Sequence, residues 1–274
     1  MRVVENGAQR ASQRNRSGRL LALIAAILAV TALILAPTVA SAASPTKVVI
    51  VVGPVESTTH QYIVDANALA RQARSYGAAV TTIYSPNATW TKVKAAARGA
   101  NILIYLGHGN GSPSPYPYST MTKNGLGLNA LAAHGNSNVK YYGSAYMKLI
   151  HLAPNAVVIL NHLCYSAGNS EPGRKAPTTL VAKQRIDNYA ASFLKTGARA
   201  VFAEPKGGAG YILTGLFTTS MSFRAVFKSG GGGTISYVSK KTPGATTIAK
   251  LTVRAVTGFL DITAADFRTA GATP

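Results

Sequence analysis

Cysteine is nearly absent from this chain, which contains one cysteine, Cys164, among 274 residues. Exported proteins usually carry cysteines in bonded pairs, and a single cysteine excludes a disulfide within the chain. The thiol is therefore a buried side chain, an intermolecular link or a reactive group. Its surroundings in the sequence decide among these roles.

Acidic residues are also scarce: 8 Asp and Glu stand against 28 Lys and Arg, and the formal net charge is +20. The first 42 residues contribute five Arg and one Glu, so residues 43–274 carry +16. Such a surface favours anionic partners, for example acidic cell-surface polymers, or it serves solubility alone. No block of Lys and Arg with interleaved aromatic residues occurs, so nucleic acid is not predicted as a partner.

Long apolar runs are limited to one, at the N-terminus. Five Arg in residues 1–19 are followed by an apolar run from Leu20 to Ala36, in which Thr31 is the one polar residue, and then by Ala40-Ser41-Ala42. This order predicts a signal peptide over residues 1–42 and a secreted protein. The run is also close to the roughly 17 residues that can span a bilayer, so an uncleaved anchor is the alternative. Any membrane contact is expected through this segment alone.

Five short runs of mainly apolar or β-branched residues follow the leader and predict strands, and the first, continuously apolar run predicts a strand that is buried on both faces. They are Lys47–Gly53, Ala79–Tyr84, Asn101–Gly107, Asn155–Leu163 and Ala198–Glu204. Segments with apolar residues at spacings of three and four separate several of them and predict amphipathic helices, closed by Gly77, near Gly99 and by Gly197. This alternation predicts an α/β fold, a three-layer sandwich around a mainly parallel, doubly wound sheet.

The C-terminal part of the sequence has a different composition. The glycine-rich stretch "SGGGGTISYVSKKTPGATT" begins at Ser229 and resembles a flexible connection. We therefore predict an α/β domain over residues 43–229 and a small C-terminal extension over residues 230–274. The extension is a strand pair, a flap packed on the domain or a partner-binding tail. The insertion before the fourth run is predicted to end in a helix over Gly143–Leu152.

Two chemically capable side chains stand at the ends of neighbouring runs. His108 follows the third run in "LIYLGHGNG", and Cys164 follows the fourth in "VVILNHLCYSAG". The carboxyl ends of parallel strands meet at one edge of a sheet, where such folds bind ligands. A cysteine nucleophile needs a nearby base, which a histidine supplies. The backbone amides of Gly109 and Cys164 are placed to stabilise a developing oxyanion.

These two motifs, in this order and on these elements, resemble those of the caspase-like cysteine peptidase superfamily, which includes legumains, gingipains, clostripain and separase. The resemblance covers roughly residues 47–204. It implies a parallel doubly wound sheet and peptide-bond hydrolysis with no cofactor. It also implies that His108 is the catalytic histidine and Cys164 the nucleophile, which forms an acyl-enzyme.

The resemblance further implies a first substrate pocket lined by His162, two residues before the cysteine, and approximately by Glu56, after the first strand. Glu204, at the end of the fifth run, is the rival carboxylate. A glutamate in this pocket favours a basic side chain before the scissile bond. The sequence departs from the family pattern at Leu163 and His162, where Ala or Gly and then Gln or Glu are usual. These departures favour a different pocket or an inactive protein.

Three functions are compatible with these residues. The first is a secreted cysteine endopeptidase acting on a peptide or protein substrate. The second is a non-catalytic module of the same fold that binds cell-wall polymers or other polyanions. The third is a metal-dependent hydrolase in which His108, His162 and Cys164 bind zinc, although their spacing matches no known metal motif and no metal site is predicted.

Overall fold

The apolar runs of the sequence become strands at the centre of the fold in a computed structural model, which describes residues 44–270. The strands of this range are β1 (Lys47–Val52), β2 (Ala79–Tyr84), β3 (Ile102–Leu106), β4 (Leu126–Asn129), β5 (Val139–Tyr142), β6 (Val157–Asn161), β7 (Ala200–Glu204), β8 (Ile235–Val238), β9 (Thr246–Lys250) and β10 (Arg254–Gly258). The helices are α1 (Thr59–Ser75), α2 (Trp90–Ala97), α3 (Ser144–Met147), α4 (Thr179–Leu194), α5 (Gly210–Thr218), α6 (Phe223–Ser229) and α7 (Ala264–Ala270), with a 3-10 turn at Glu56–Thr58.

One sheet of eight strands organises the described residues, in the order β2-β1-β3-β6-β7-β10-β9-β8. The first five of these strands are parallel, and β10, β9 and β8 continue the sheet in antiparallel pairing. The predicted α/β class with a mainly parallel doubly wound sheet is confirmed. The five strands predicted from the apolar runs are β1, β2, β3, β6 and β7.

Helices cover both faces of this sheet because alternate residues of each buried strand point to opposite sides. Leu103 and Tyr105 of β3 pack in the core that includes α2 and α4, whereas Ile102 and Ile104 pack in the core that includes α1, α5 and α6. The predicted helix stops are present: Gly77 and Gly197 have φ of +81° and +95°, a left-handed conformation that glycine adopts freely.

One region differs from its sequence prediction, and the strand order adds detail to another. Within the insertion between β3 and β6, the helix predicted over Gly143–Leu152 is a single turn, α3, and a two-stranded antiparallel sheet, β4 and β5, precedes it. Beyond residue 229, β8 to β10 belong to the same sheet as β7. The boundary predicted after residue 229 therefore does not separate two sheets.

The predicted signal peptide, residues 1–42, lies outside the described residues. Among residues 44–270, no helix has the length and apolar character needed to cross a membrane.

Candidate active site

His108 lies at the carboxyl edge of the sheet because β3 ends at Leu106 and a tight glycine turn follows. β3 and β6 are parallel neighbours, with Leu106 opposite Asn161. A β-carbon on Gly107 would lie 2.3 Å from the hydroxyl oxygen of Tyr105, so this position requires glycine. The chain thus turns directly over the end of β3 and presents the imidazole at the rim.

Cys164 reaches the same rim through the turn that follows β6. His162 and Tyr165, on either side of it, have φ of +62° and +70°, which are uncommon values for residues other than glycine. The Ser166 hydroxyl and the Asn169 side-chain amide both donate hydrogen bonds to the Leu163 carbonyl, at 3.1 and 3.3 Å. This bonding holds the strained turn in one conformation, and the thiol is left partly exposed.

The main chains of the two turns are in direct contact. A β-carbon on Gly109 would lie 2.1 Å from the carbonyl oxygen of Cys164 and 2.9 Å from its nitrogen. Neither the Gly109 amide nor the Cys164 amide has a hydrogen-bond acceptor among residues 44–270. Unpaired N–H groups are the kind of donor that an oxyanion requires.

Glu56 occupies a place that the sequence did not suggest for it. Its carboxylate Oε2 lies 3.0 Å from Nε2 of His108. Glu56 opens the turn after β1, the strand that pairs with β3, so both residues emerge at the same edge. The sequence assigned Glu56 to a substrate pocket and assigned no residue that orients His108. In the structure the carboxylate is bonded to the imidazole, and its part in a substrate pocket stays a prediction.

The cleft beside Cys164 has a volume of about 490 Å³ and is lined by residues that include Tyr62, His162, Glu171 and Lys206. The Tyr116 hydroxyl donates a hydrogen bond to Oε2 of Glu171 at 2.9 Å. The sequence motifs assign no role to Glu171. Its place seven residues beyond Cys164, in a loop rich in Pro and Gly, gave no signal that it returns to the cleft.

The Cys164 thiol is held in its protonated form. Burial raises the pKa of the thiol to about 11, and the negative charge of Glu171 adds to the effect. Among the described residues no hydrogen bond joins the sulfur to the His108 ring, whose Nε2 bonds Glu56. The thiol therefore ionises at a higher pH than a free cysteine does.

The pKa of Tyr141, in β5, also depends on the charged groups at this rim. Burial raises the pKa of its phenol to about 12, and the charges of Glu171, Glu56 and Cys164 add to the effect in that order. The Tyr141 hydroxyl is therefore close enough to all three acidic groups for their charges to raise its pKa. The hairpin of β4 and β5 closes the site from the side of the insertion.

His162 lines the cleft, and its ring is held from two sides. It stacks on Tyr62, with ring centroids 4.9 Å apart, and its Nε2 lies 3.3 Å from Oδ2 of Asp65. His162 and His108 thus face different carboxylates. Within residues 44–270, no group of three or more His, Cys, Asp or Glu side chains is arranged to hold a metal ion. The zinc hypothesis gains no support from this geometry.

Glu204, the other carboxylate predicted for substrate binding, is enclosed in the fold. Its side chain is 3% exposed, the Tyr211 hydroxyl donates a hydrogen bond to it, and Nη1 of Arg254 lies 3.9 Å from its Oε1. Only its backbone serves the site, since the Glu204 carbonyl accepts hydrogen bonds from the His162 amide and the Asn161 side chain. A carboxylate so enclosed is not accessible to a substrate.

No protein-family model matches the chain, and the comparison with curated proteins returns no match. Among solved structures, the chain is similar to the crystal structure of the Arg-specific cysteine proteinase gingipain R, with 14% sequence identity and a TM-score of 0.39. The similarity covers 81% of this chain and 62% of that chain, so this protein spans less than two thirds of the length of gingipain R. At this level, no activity or specificity is carried over to this chain.

Proposed function

We propose that this chain is a cysteine peptidase in which Cys164 attacks the peptide carbonyl and His108 accepts the thiol proton. The observation that carries the proposal is the direct contact between the Gly109 and Cys164 main chains, with both amides unpaired among the described residues. In the proposed reaction the sulfur bonds to the carbonyl carbon. The two amides then donate to the oxygen that becomes negative.

The positions of the protons on His108 and Cys164 support His108 as a general base. A carboxylate only accepts hydrogen bonds, so the contact with Glu56 assigns the ring proton to Nε2 and leaves Nδ1 as the acceptor. Because the Cys164 pKa is about 11, the thiol carries its proton at neutral pH. His108 therefore takes this proton during the attack and returns it to the leaving amine. Water then hydrolyses the acyl-enzyme.

A preference for a basic residue before the scissile bond remains part of the proposal, with different carboxylates from those that the sequence named. Glu56 is bonded to His108 and Glu204 is enclosed. Glu171 lines the cleft with Cys164, and Asp65 pairs with His162 at a second cleft that adjoins it. We assign the preference to these two carboxylates.

The proposal includes export. It rests on the N-terminal order of basic residues, apolar run and Ala40-Ser41-Ala42, which is typical of a secretory signal. We infer a secreted protein that contacts acidic cell-surface polymers through its positive surface.

The test is a set of fluorogenic peptides with Arg, Lys, Asn or Asp before the cleaved bond. We expect the Arg and Lys peptides to be hydrolysed faster, and Cys164→Ala to abolish all hydrolysis. Glu56→Gln is expected to lower kcat by roughly 100-fold and to change KM little, because it disorients the base without touching the substrate. Asp261→Asn, the same kind of change at a carboxylate whose side chain is 89% exposed, is the matched control. Full hydrolysis by Cys164→Ala contradicts the proposal, as does a folded parent protein that cleaves no peptide.

A non-catalytic polyanion-binding module is the second candidate. The observation that favours it is the protonated thiol with no hydrogen bond to His108 within residues 44–270. This candidate predicts that Cys164→Ala and the parent protein bind anionic polymers equally and that neither cleaves peptides. The peptide set therefore separates the two functions in one experiment.

A further inference from the structure

The strand at one end of the large sheet has an open edge. β8 pairs with β9 and lies last in the strand order, and among residues 44–270 its outer edge has no backbone partner. The backbone N–H and C=O groups of such an edge are available to an added strand. β8 itself carries no charged residue that would block pairing, since its sequence is Ile-Ser-Tyr-Val.

A groove of about 530 Å³ runs between this edge and α4. Its walls include the apolar side chains of Leu180 and Val238, which are 62% and 70% exposed. Tyr237 also lines the groove. Apolar side chains this exposed, beside an open strand edge, are suited to contact the side chains of a bound segment.

The groove is positively charged. Lys183, Lys240 and Lys241 line it, and the Lys183 ammonium lies 5.1 Å from the centroid of the Tyr237 ring. The carboxylate that lines it, Asp187, is 4% exposed and already accepts a hydrogen bond from the Lys240 amide at 2.9 Å. The accessible charge in the groove is therefore cationic, which complements an acidic partner.

We propose that the groove between α4 and β8 binds an acidic, extended peptide segment that adds to β8 as a further strand. The backbone of the segment pairs with the outer edge of β8. Its acidic side chains contact Lys183, Lys240 and Lys241, and its apolar side chains contact Leu180 and Val238. The groove and the Cys164 cleft share no lining residue.

The test uses a fluorescein-labelled peptide that alternates Glu and Val, titrated with the whole protein at low and physiological salt. Lys240→Glu/Lys241→Glu is expected to weaken binding by about tenfold or more, because it replaces attraction with repulsion. Lys92→Glu/Lys94→Glu makes the same charge change on exposed residues of α2, which packs on β1 and β2 at the far end of the sheet. This control is expected to change the affinity by less than about twofold.

Two further measurements test strand addition itself. A peptide of the same sequence with every backbone nitrogen methylated keeps its charges and cannot donate to β8, so we expect it not to bind. Hydrogen exchange of the amides in Ile235–Val238 is expected to slow when the unmodified peptide binds, while exchange in Ala79–Tyr84, the opposite edge strand, stays unchanged.

Equal binding of the methylated peptide overturns the proposal and indicates adsorption of anionic chains to a basic surface. Equal loss in the two double variants overturns it as well. Self-association of the protein through β8 that excludes the peptide shows a second copy as the occupant and contradicts the acidic segment. Peptide hydrolysis is measured in parallel, because failure of the cleft chemistry leaves this binding unaffected.

Discussion

The Cys164 thiol combines partial exposure with a pKa of about 11, so its reactivity depends on what raises that pKa. Burial is the larger cause and the negative charge of Glu171 the second. A carboxylate disfavours a thiolate beside it, and its removal therefore lowers the thiol pKa. Glu171 thus acts on the nucleophile through its charge.

Alkylation by iodoacetamide measures this effect, since the thiolate is the reacting form. The rate in the folded protein is expected to rise with pH to a midpoint near 11. Glu171→Gln is expected to increase the rate at pH 8 by roughly twofold to tenfold, because it lowers the pKa of the thiol. Asp261→Asn, far from the cleft in the sequence and highly exposed, is expected to leave the profile unchanged. A midpoint below that of a free thiol would show instead a preformed ion pair with a histidine.

The sequence predicts that a residue lies at the rim of the sheet only where that residue directly follows a strand. His108 and Cys164 follow β3 and β6, which are adjacent and parallel. The apolar runs that predict these strands therefore also place both residues at one rim. The same rule applies to Glu56, which follows β1, but the direction of its side chain depends on a 3-10 turn with φ of +44° at Glu56 itself. No pattern in the sequence encodes that turn. The backbone of Glu204 lies at the rim, as the rule predicts, but its side chain is buried in the fold.

At the scale of elements, Glu204 links four of them. It ends β7, receives a hydrogen bond from Tyr211 of α5, and lies near Arg254 of β10, whose Nη2 donates to the Phe227 carbonyl of α6. Burial raises the pKa of Glu204 to about 7, although Tyr211 and Arg254 act in the opposite direction. The folded protein therefore retains a proton that the unfolded chain releases at lower pH.

Stability should depend on pH through this group. The folded pKa is raised above its ordinary value of 4.5, so the stabilisation by protonation is complete below 4.5 and is lost as pH rises through about 7. Glu204→Gln stays neutral and keeps an acceptor for Tyr211. The free energy of unfolding of the wild type, minus that of the variant, is expected to fall between pH 4.5 and 7 and to level off above. Denaturant unfolding at a series of pH values measures it, and a difference that rises with pH would show that Arg254 dominates instead.

Some helices and strands can be predicted from the local sequence pattern, and others cannot. Strands buried on both faces read as continuous apolar runs, so β1, β3, β6 and β7 were predictable, and the glycine stops located the helix ends. β8 has only four residues, with two of them apolar, and follows a glycine run, which is the signature of a loop. Its strand form is imposed by pairing with β9, a contact between segments that composition does not report.

The whole molecule depends on its C-terminal strands more than the composition of the chain suggests. β10 covers the edge of β7, and Val256, Ile248 and Phe267 are at most 2% exposed in the core shared with α5 and α6. Gly258 fits closely against the backbone of β7: a β-carbon there would lie 2.1 Å from the Arg199 carbonyl oxygen. Residues 230–270 are thus part of the fold that holds the site.

Truncation after residue 229 tests this dependence. Each buried Val, Ile or Phe contributes about 1.5–3 kcal/mol, and the net stability of a domain is only about 5–15 kcal/mol. Loss of Val256, Ile248, Leu260 and Phe267, together with the Arg254 contacts, therefore removes most of that margin. We expect a chain of residues 43–229 to be insoluble or to lack a cooperative thermal transition by circular dichroism, whereas residues 43–274 unfold cooperatively. Co-expression of residues 234–274 as a separate chain is expected to restore folding, because the missing contacts are non-covalent. A truncated chain that unfolds cooperatively at nearly the same temperature as residues 43–274 would establish the boundary after residue 229 as that of an independent domain.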